Sequence, residues 1–182
     1  MKLNIGGGYK RIDGYSNIDH DPLTNPEYCF NIETENWPFE DDTVEAIRAH
    51  HILEHIGEGF FHVLKEIYRI CKDGTIIDIA VPHHRHENYY GDPTHRRPIA
   101  INMLRQFSKK YCEWHKEFHE SSSGFAPRLN VDFEIADYSF SVDDDYQELV
   151  KEGKYEELDN LSKRFNNVYK DVFIKLLVVK NG

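Results

Sequence analysis

Residues 1–8 read Met1-Lys2-Leu3-Asn4-Ile5-Gly6-Gly7-Gly8, a short apolar strand running into three glycines. Asn17-Ile18-Asp19 then ends a second strand-like run. Glycines at the end of a first strand let the backbone come close to a ligand. An acid closing the next strand can accept hydrogen bonds from ribose hydroxyls. Taken singly, each has a plainer reading: a tight turn for the glycines, a turn carboxylate for Asp19, since Asp21-Pro22 follows it. In this order, at the head of alternating strands and helices, they point together to a nucleoside-containing cofactor. The stretch 7–14 is too short for the helix that usually links two parallel strands.

Outward from this segment, residues 3–5 and 15–19 are the first two strands and 28–32 a third. Pro38 in Trp37-Pro38-Phe39 keeps that strand from running on, and 43–49 is a fourth. Phe60, Leu64, Ile67, Tyr68 and Cys71 recur at helical spacing and predict a helix over 60–71, with Phe61 and Val63 widening its apolar stripe. Asp73-Gly74 is its closing turn. Residues 75–81 (TIIDIAV) form a nearly continuous apolar run, the pattern of a strand covered on both faces. A polar loop at 83–98, a helix over 101–118, a break at 121–124, a strand at 133–142, a charged helical stretch over 144–166 and a last strand at 172–179 complete the reading. Early strands with crossovers, then two late strands joined by a long connection, describe an α/β fold with a mostly parallel sheet and an antiparallel edge.

The 182 residues carry 32 acidic and 22 basic side chains, a formal net charge of -10, which disfavours a nucleic-acid partner. Three scattered cysteines, Cys29, Cys71 and Cys112, offer neither a disulfide framework nor a zinc knuckle, so a reducing, cytoplasmic setting is expected. No signal segment or membrane-length apolar run is present, and no membrane partner is expected. The length suits one domain over 1–182, with 83–130 as its substrate-side loop and helix and 143–170 as a helical insertion between the last two strands. The expected partner is a small-molecule substrate; oligomeric state is left open.

Four segments carry a resemblance: Leu3-Asn4-Ile5-Gly6-Gly7-Gly8; Gly14-Tyr15-Ser16-Asn17-Ile18-Asp19; Trp37-Pro38-Phe39 with Asp41-Asp42-Thr43-Val44; and His51-Ile52-Leu53-Glu54-His55. Glu66-Ile67-Tyr68-Arg69 leading to Lys72-Asp73-Gly74 adds to it. In these segments the chain resembles the class I, Rossmann-like S-adenosylmethionine-dependent methyltransferases, in their small type 11-like branch, over roughly its first half. The resemblance implies S-adenosyl-L-methionine as cofactor; the antiparallel C-terminal edge hairpin is read from the strand order, and the shortened first crossover is a departure from the family. The resemblance also implies cofactor contacts from Asn4, Gly6, Gly7, Gly8 and Asp19, adenine-flanking positions at Asn31 and Ile32, and His50 and His51 near the sulfonium. Asn4 and Asn31 stand where acids are frequent in that family, and Lys10 where a further glycine is usual.

His83, His84, His86 and His95 crowd the loop after the fifth strand, with Tyr89, Tyr90, Asp92, Arg96 and Arg97. Ligands of open α/β sheets sit beyond the carboxyl ends of the strands, so this loop is expected to face the substrate. A histidine can take a proton from an acceptor hydroxyl or amine, which makes His51, His83 and His84 the candidate catalytic residues. Arg96 and Arg97 suit a phosphate or carboxylate. No spacing in this loop specifies a metal, and none is assigned. One rival reading is a zinc-dependent hydrolase, with His51 and His55 as ligands and Glu54 as general base; against it, the segment leaves a strand rather than sitting inside a long helix, and no clear third ligand stands downstream. Another is a non-catalytic module of the same fold that holds a cofactor or recruits partners.

Overall fold

Seven strands form one sheet in the order β3-β2-β1-β4-β5-β7-β6: β1 (Lys2–Ile5), β2 (Ser16–Asp19), β3 (Tyr28–Cys29), β4 (Val44–His50), β5 (Cys71–Pro82), β6 (Phe133–Val142) and β7 (Tyr169–Val178). The first five are parallel; β7 pairs antiparallel with both β5 and β6. This is the mostly parallel sheet with an antiparallel C-terminal hairpin expected from the sequence. The helices are α1 (Phe60–Ile70), α2 (Glu87–Gly91), α3 (Ile101–Arg105), α4 (Lys109–Phe118), α5 (Phe125–Leu129), α6 (Gln147–Lys151) and α7 (Tyr155–Ser162). The computed structural model describes residues 1–118 and 124–180. Among them no helix is long and apolar enough to cross a membrane, and the connection from β1 to β2 contains no helix.

The core lies on one side of the sheet. Leu3, Ile5, Ile18, Ile47, Ile77 and Ile79 point there, packed with Phe60, Val63, Leu64, Ile67 and Ile70 of α1. Strand side chains alternate, so the residues between them face the other way. Register aligns six of these into a row: Asn17 opposite Asn4, Asn4 opposite Arg48, Arg48 opposite Asp78, Asp78 opposite Lys175, Lys175 opposite Asp137.

Several elements differ from the sequence expectation, each for a local reason. The third strand stops at Cys29 because Asn31 forms its own turn: its Oδ1 accepts from the Glu33 amide and its amide donates to Glu35. The first helix ends at Ile70, and Cys71 already pairs with Val44. The register then jumps to Ala46 opposite Ile76, so Gly74, at φ +77°, serves a bulge within β5 rather than a helix end. The run 75–81 is not covered on both faces: Ile76 is 36% exposed on the side of Asp78.

The helix expected over 101–118 breaks at 106–108. The Phe107 carbonyl accepts from Phe133, and Ser108 Oγ caps a fresh start by accepting from the Tyr111 amide. The stretch 144–166 is a 3₁₀ turn (Asp144–Tyr146) followed by α6 and α7, divided at Gly153 with φ +70°. Of the break expected at 121–124, positions 121–123 lie outside the described residues.

Candidate functional site

The carboxyl ends of β1, β2 and β3 converge on a cavity of about 260 Å³. Gly6, Ile18 and Asp19 form one wall, and Phe30, Asn31, Ile32 and Glu33 a second. Ile52, His55 and Ile56 close it from the turn after β4. Gly6 has φ +63°, and a Cβ there would stand 2.7 Å from the Ile52 side chain, so only glycine lets the strand end meet that wall. Glu33 ties two walls together: its Oε2 accepts from the amides of Gly57 and Gly59 at 2.9 and 3.0 Å.

The glycine amides do not point into the cavity. Those of Gly6 and Gly7 donate to the Ile18 carbonyl, and that of Gly8 donates to Asp19 Oδ2 at 2.8 Å. The short β1–β2 connection is therefore folded onto the end of β2, and Asp19 is held in place by it. Asp19 Oδ1 also accepts from the Asp21 amide at 3.0 Å, yet each carboxylate oxygen keeps a lone pair for a further donor. Its side chain is 11% exposed at the cavity wall.

Asn4 and His50, expected at the cofactor, do not line the cavity: Asn4 lies in the polar row of the sheet, and His50 lies beside that row, two residues beyond Arg48. Asn4 Nδ2 donates to Asn17 Oδ1, and its Oδ1 accepts from Arg48. His50 Nδ1 accepts from Arg48 and its Nε2 donates to Asp78 at 3.0 Å. Burial pulls the His50 pKa below its ordinary value, outweighing the Asp78 contact. A Cβ on Gly7 would strike Asn17 and Asn4 at 2.6 and 2.7 Å, so Gly7 serves the same row.

His51 leaves the end of β4 at φ +53°, an uncommon backbone for a residue with a Cβ. Its half-exposed ring places Nδ1 3.4 Å from Oε1 of Glu54, and that carboxylate raises the His51 pKa against the opposing effect of burial. The segment Leu53–His55 is a 3₁₀ turn, so His51 and His55 do not share a helical face.

The histidine loop divides. His83 and His84 line a different cleft of about 340 Å³, with Asn102, Arg105 and Tyr138. Burial, reinforced by His84 and Arg85, holds His83 down to about 4. His86 is spent internally: its Nδ1 caps α2 by accepting from Asn88, and its Nε2 donates to Asp143. Arg97 donates to the carbonyls of Ile56 and Gly57 and covers the Phe60 ring at 4.5 Å, pinning the turn after β4. Tyr90 and Arg96 point to solvent.

Tyr89 stacks on His95, whose ring centroid is 4.6 Å from that of His55. The loop thus reaches the cavity's edge through His95. Sequence reading missed Phe30, Glu33, Ile52 and Ile56 at the cavity; their signal was adjacency to Asn31-Ile32 and to His51–His55.

No family model and no curated protein matches this chain. Solved structures do. A SAM dependent methyltransferase from Archaeoglobus fulgidus is similar at TM-score 0.62 and 17% identity, over 96% of this chain and 85% of that one. The [4+2]-cyclase SpnF matches at TM-score 0.57 and 13% identity, over 98% of this chain and 75% of its own. A SAM-dependent methyltransferase from Methanosarcina mazei matches at 0.53 and 13%, over 98% and 92%. At such identities the likeness is one of fold, and a single fold hosts unrelated chemistries.

Proposed function

We propose that this chain binds S-adenosyl-L-methionine in the cavity at the ends of β1, β2 and β3. It then transfers the methyl group to a hydroxyl oxygen or amine nitrogen of a small or medium-sized acceptor. The observation that carries this reading is Asp19, a largely buried carboxylate at the end of the second strand, fixed by two backbone amides with lone pairs still to offer. Paired acceptors on one wall and the apolar Phe30, Ile32 and Ile56 on the others suit a ribose joined to a flat base. The likeness of fold to structures described as SAM-dependent methyltransferases supports the same reading.

When bound, the sulfonium supplies an already activated methyl group. The protein's part is then to orient the acceptor, exclude water and receive a proton where the acceptor must lose one. Of His51, His83 and His84, only His51 adjoins the turn that lines the cavity. Glu54 beside it makes its ring the stronger base of the three, since burial weakens the other two.

Isothermal titration with S-adenosylmethionine and S-adenosylhomocysteine tests the proposal. Asp19→Ala is expected to weaken binding of both roughly 10- to 100-fold, the worth of hydrogen bonds to a charged group. Absence of heat with either ligand at millimolar concentration, in protein with native circular dichroism, would sink it. Tight binding without turnover across a broad acceptor panel would instead favour a non-catalytic module.

A further inference from the structure

Glu54 sits 1% exposed in the turn after β4, and among the described residues neither of its carboxylate oxygens has a hydrogen-bond partner. A buried carboxylate without a compensating donor is costly. Two imidazoles stand beside it. One ligand atom from each of Glu54, His55 and His95 lies within 4.8 Å of the other two, a spacing that a single cation can bridge. His51 Nδ1 lies 3.4 Å from Oε1 on the other side of the turn's start.

The hydrogen bonds around the two rings decide which nitrogen is bare. His95 Nδ1 lies 2.6 Å from the Tyr89 carbonyl, which can only accept, so Nδ1 carries the proton. His55 Nδ1 lies 2.9 Å from Thr94 Oγ1. The Thr94 hydroxyl gives its own proton to Asp92 Oδ1 at 2.6 Å, so it accepts from His55. In both rings Nδ1 is thereby engaged as a donor, which leaves Nε2 as the nitrogen available to a metal, 3.9 Å from Asp92 Oδ2 in His95. Histidines that bind metals are held this way, the second nitrogen donating to a carbonyl or, through a hydroxyl, to a carboxylate.

We propose that Glu54, His55 and His95 form a binding site for a divalent first-row transition-metal ion such as Mn²⁺, Fe²⁺, Co²⁺ or Zn²⁺. Two imidazoles and one carboxylate suit these ions, and three protein ligands leave coordination positions open. Asp92, Thr94 and the Tyr89 carbonyl are its positioning groups. Glu54 is here a ligand, not the general base of a hydrolase. His55 belongs both to this cluster and to the cavity wall, so the open positions suit an oxygen of the acceptor. That last role rests on the methyl-transfer reading; metal binding does not.

The test uses the full chain, stripped with EDTA and titrated with Co²⁺, Mn²⁺ and Zn²⁺. Calorimetry reads affinity and stoichiometry, and visible absorption reads the Co²⁺ ligand field. One equivalent should bind with micromolar or tighter affinity. Glu54→Gln and His95→Gln should each weaken binding at least tenfold, whereas His84→Ala, in the other cleft, should not change it. Thr94→Val should lower affinity 10- to 100-fold by releasing the His55 tautomer, and Thr94→Ser should restore it. Binding no tighter than millimolar, or binding that Glu54→Gln and His95→Gln both leave intact in folded protein, overturns the site. Loss of S-adenosylmethionine binding alone leaves it standing.

Discussion

Two adjacent rows of residues cross the sheet one position apart and face opposite sides. In one, Ile18, Ile5, Ala49, Ile79 and Ile174 stand side by side, all buried. In the other, Asn17, Asn4, Arg48, Asp78 and Lys175 stand side by side, joined by hydrogen bonds from Asn4 to Asn17, from Arg48 to Asn4 and from Lys175 to Asp78. The first row is held by packing against α1, the second by polar partners lying in the plane of the sheet. With no helix between β1 and β2, the second side cannot rely on an apolar cover there and has to satisfy its own donors and acceptors. The contrast is one of mechanism: an aliphatic side that tolerates exchange of like volumes, and a polar side in which each member needs its neighbour.

Truncating the aliphatic row should have the largest effect. Ile79→Ala is expected to lower stability by about 2–4 kcal/mol, read as a fall in the urea midpoint with an unchanged slope. On the same side, just beyond the end of β5, lies His83, kept neutral by burial down to about 4. The unfolded ring takes a proton below about 6.5 and the folded one does not. Stability from this residue is therefore fully present above 6.5 and is lost as the pH falls from 6.5 towards 4, by about 3 kcal/mol. His83→Phe should flatten the acid limb of a plot of melting temperature against pH.

The polar row should answer differently. Arg48→Met removes the donor to the buried Asn4 Oδ1 and the partner of His50 Nδ1, and is expected to cost about 1–2 kcal/mol. Asn4→Leu combined with it should recover little of that loss, because it removes the orphaned Oδ1 of Asn4 but strips the buried Asn17 Oδ1 of its donor. A double-mutant cycle measures the coupling. The smallest effect belongs to Lys175→Met. Its pairing with Asp78 is at the exposed end of the row, so a change under about 0.5 kcal/mol that vanishes in 1 M salt is expected. A loss from Arg48→Met as small as that from Lys175→Met would dissolve the contrast between buried and exposed ends.

The alternation behind the two rows was legible in the chain, since a period of two sorts Leu3 and Ile5 from Asn4 without knowledge of the partner strands. The pairing of Asn4 with Arg48 and of Asp78 with Lys175 was not, because register is set by three-dimensional contacts. The same limit explains the site. Gly6, Asp19, Asn31 and Ile32 were legible because Asp19 closes a strand and the others follow one within a few residues. Asn4 and His50 were read as cofactor neighbours from their place in a motif, while their side chains serve the sheet. The meeting of His95 with Glu54 and His55 depends on a loop returning to the turn after β4 through the Arg96 and Arg97 amides, which donate to the Glu54 carbonyl. The helix break at 106–108 was hidden likewise, since the group that interrupts it, Phe133, lies in a distant strand.

The short link between β1 and β2 also bears on the order of assembly. It joins two parallel strands whose paired residues Asn4 and Asn17 lie only 13 positions apart, whereas Asp78 and Lys175, paired across β5 and β7, lie 97 apart. Loop-closure entropy then favours the first pairing by about 2 kcal/mol. The strand ends that shape the cavity can therefore meet while the C-terminal half is still unfolded, or still unsynthesised. In pulse-labelled hydrogen exchange during refolding, amides of β1 and β2 are expected to gain protection before those of β7; the reverse order would show that the hairpin of β6 and β7 leads instead.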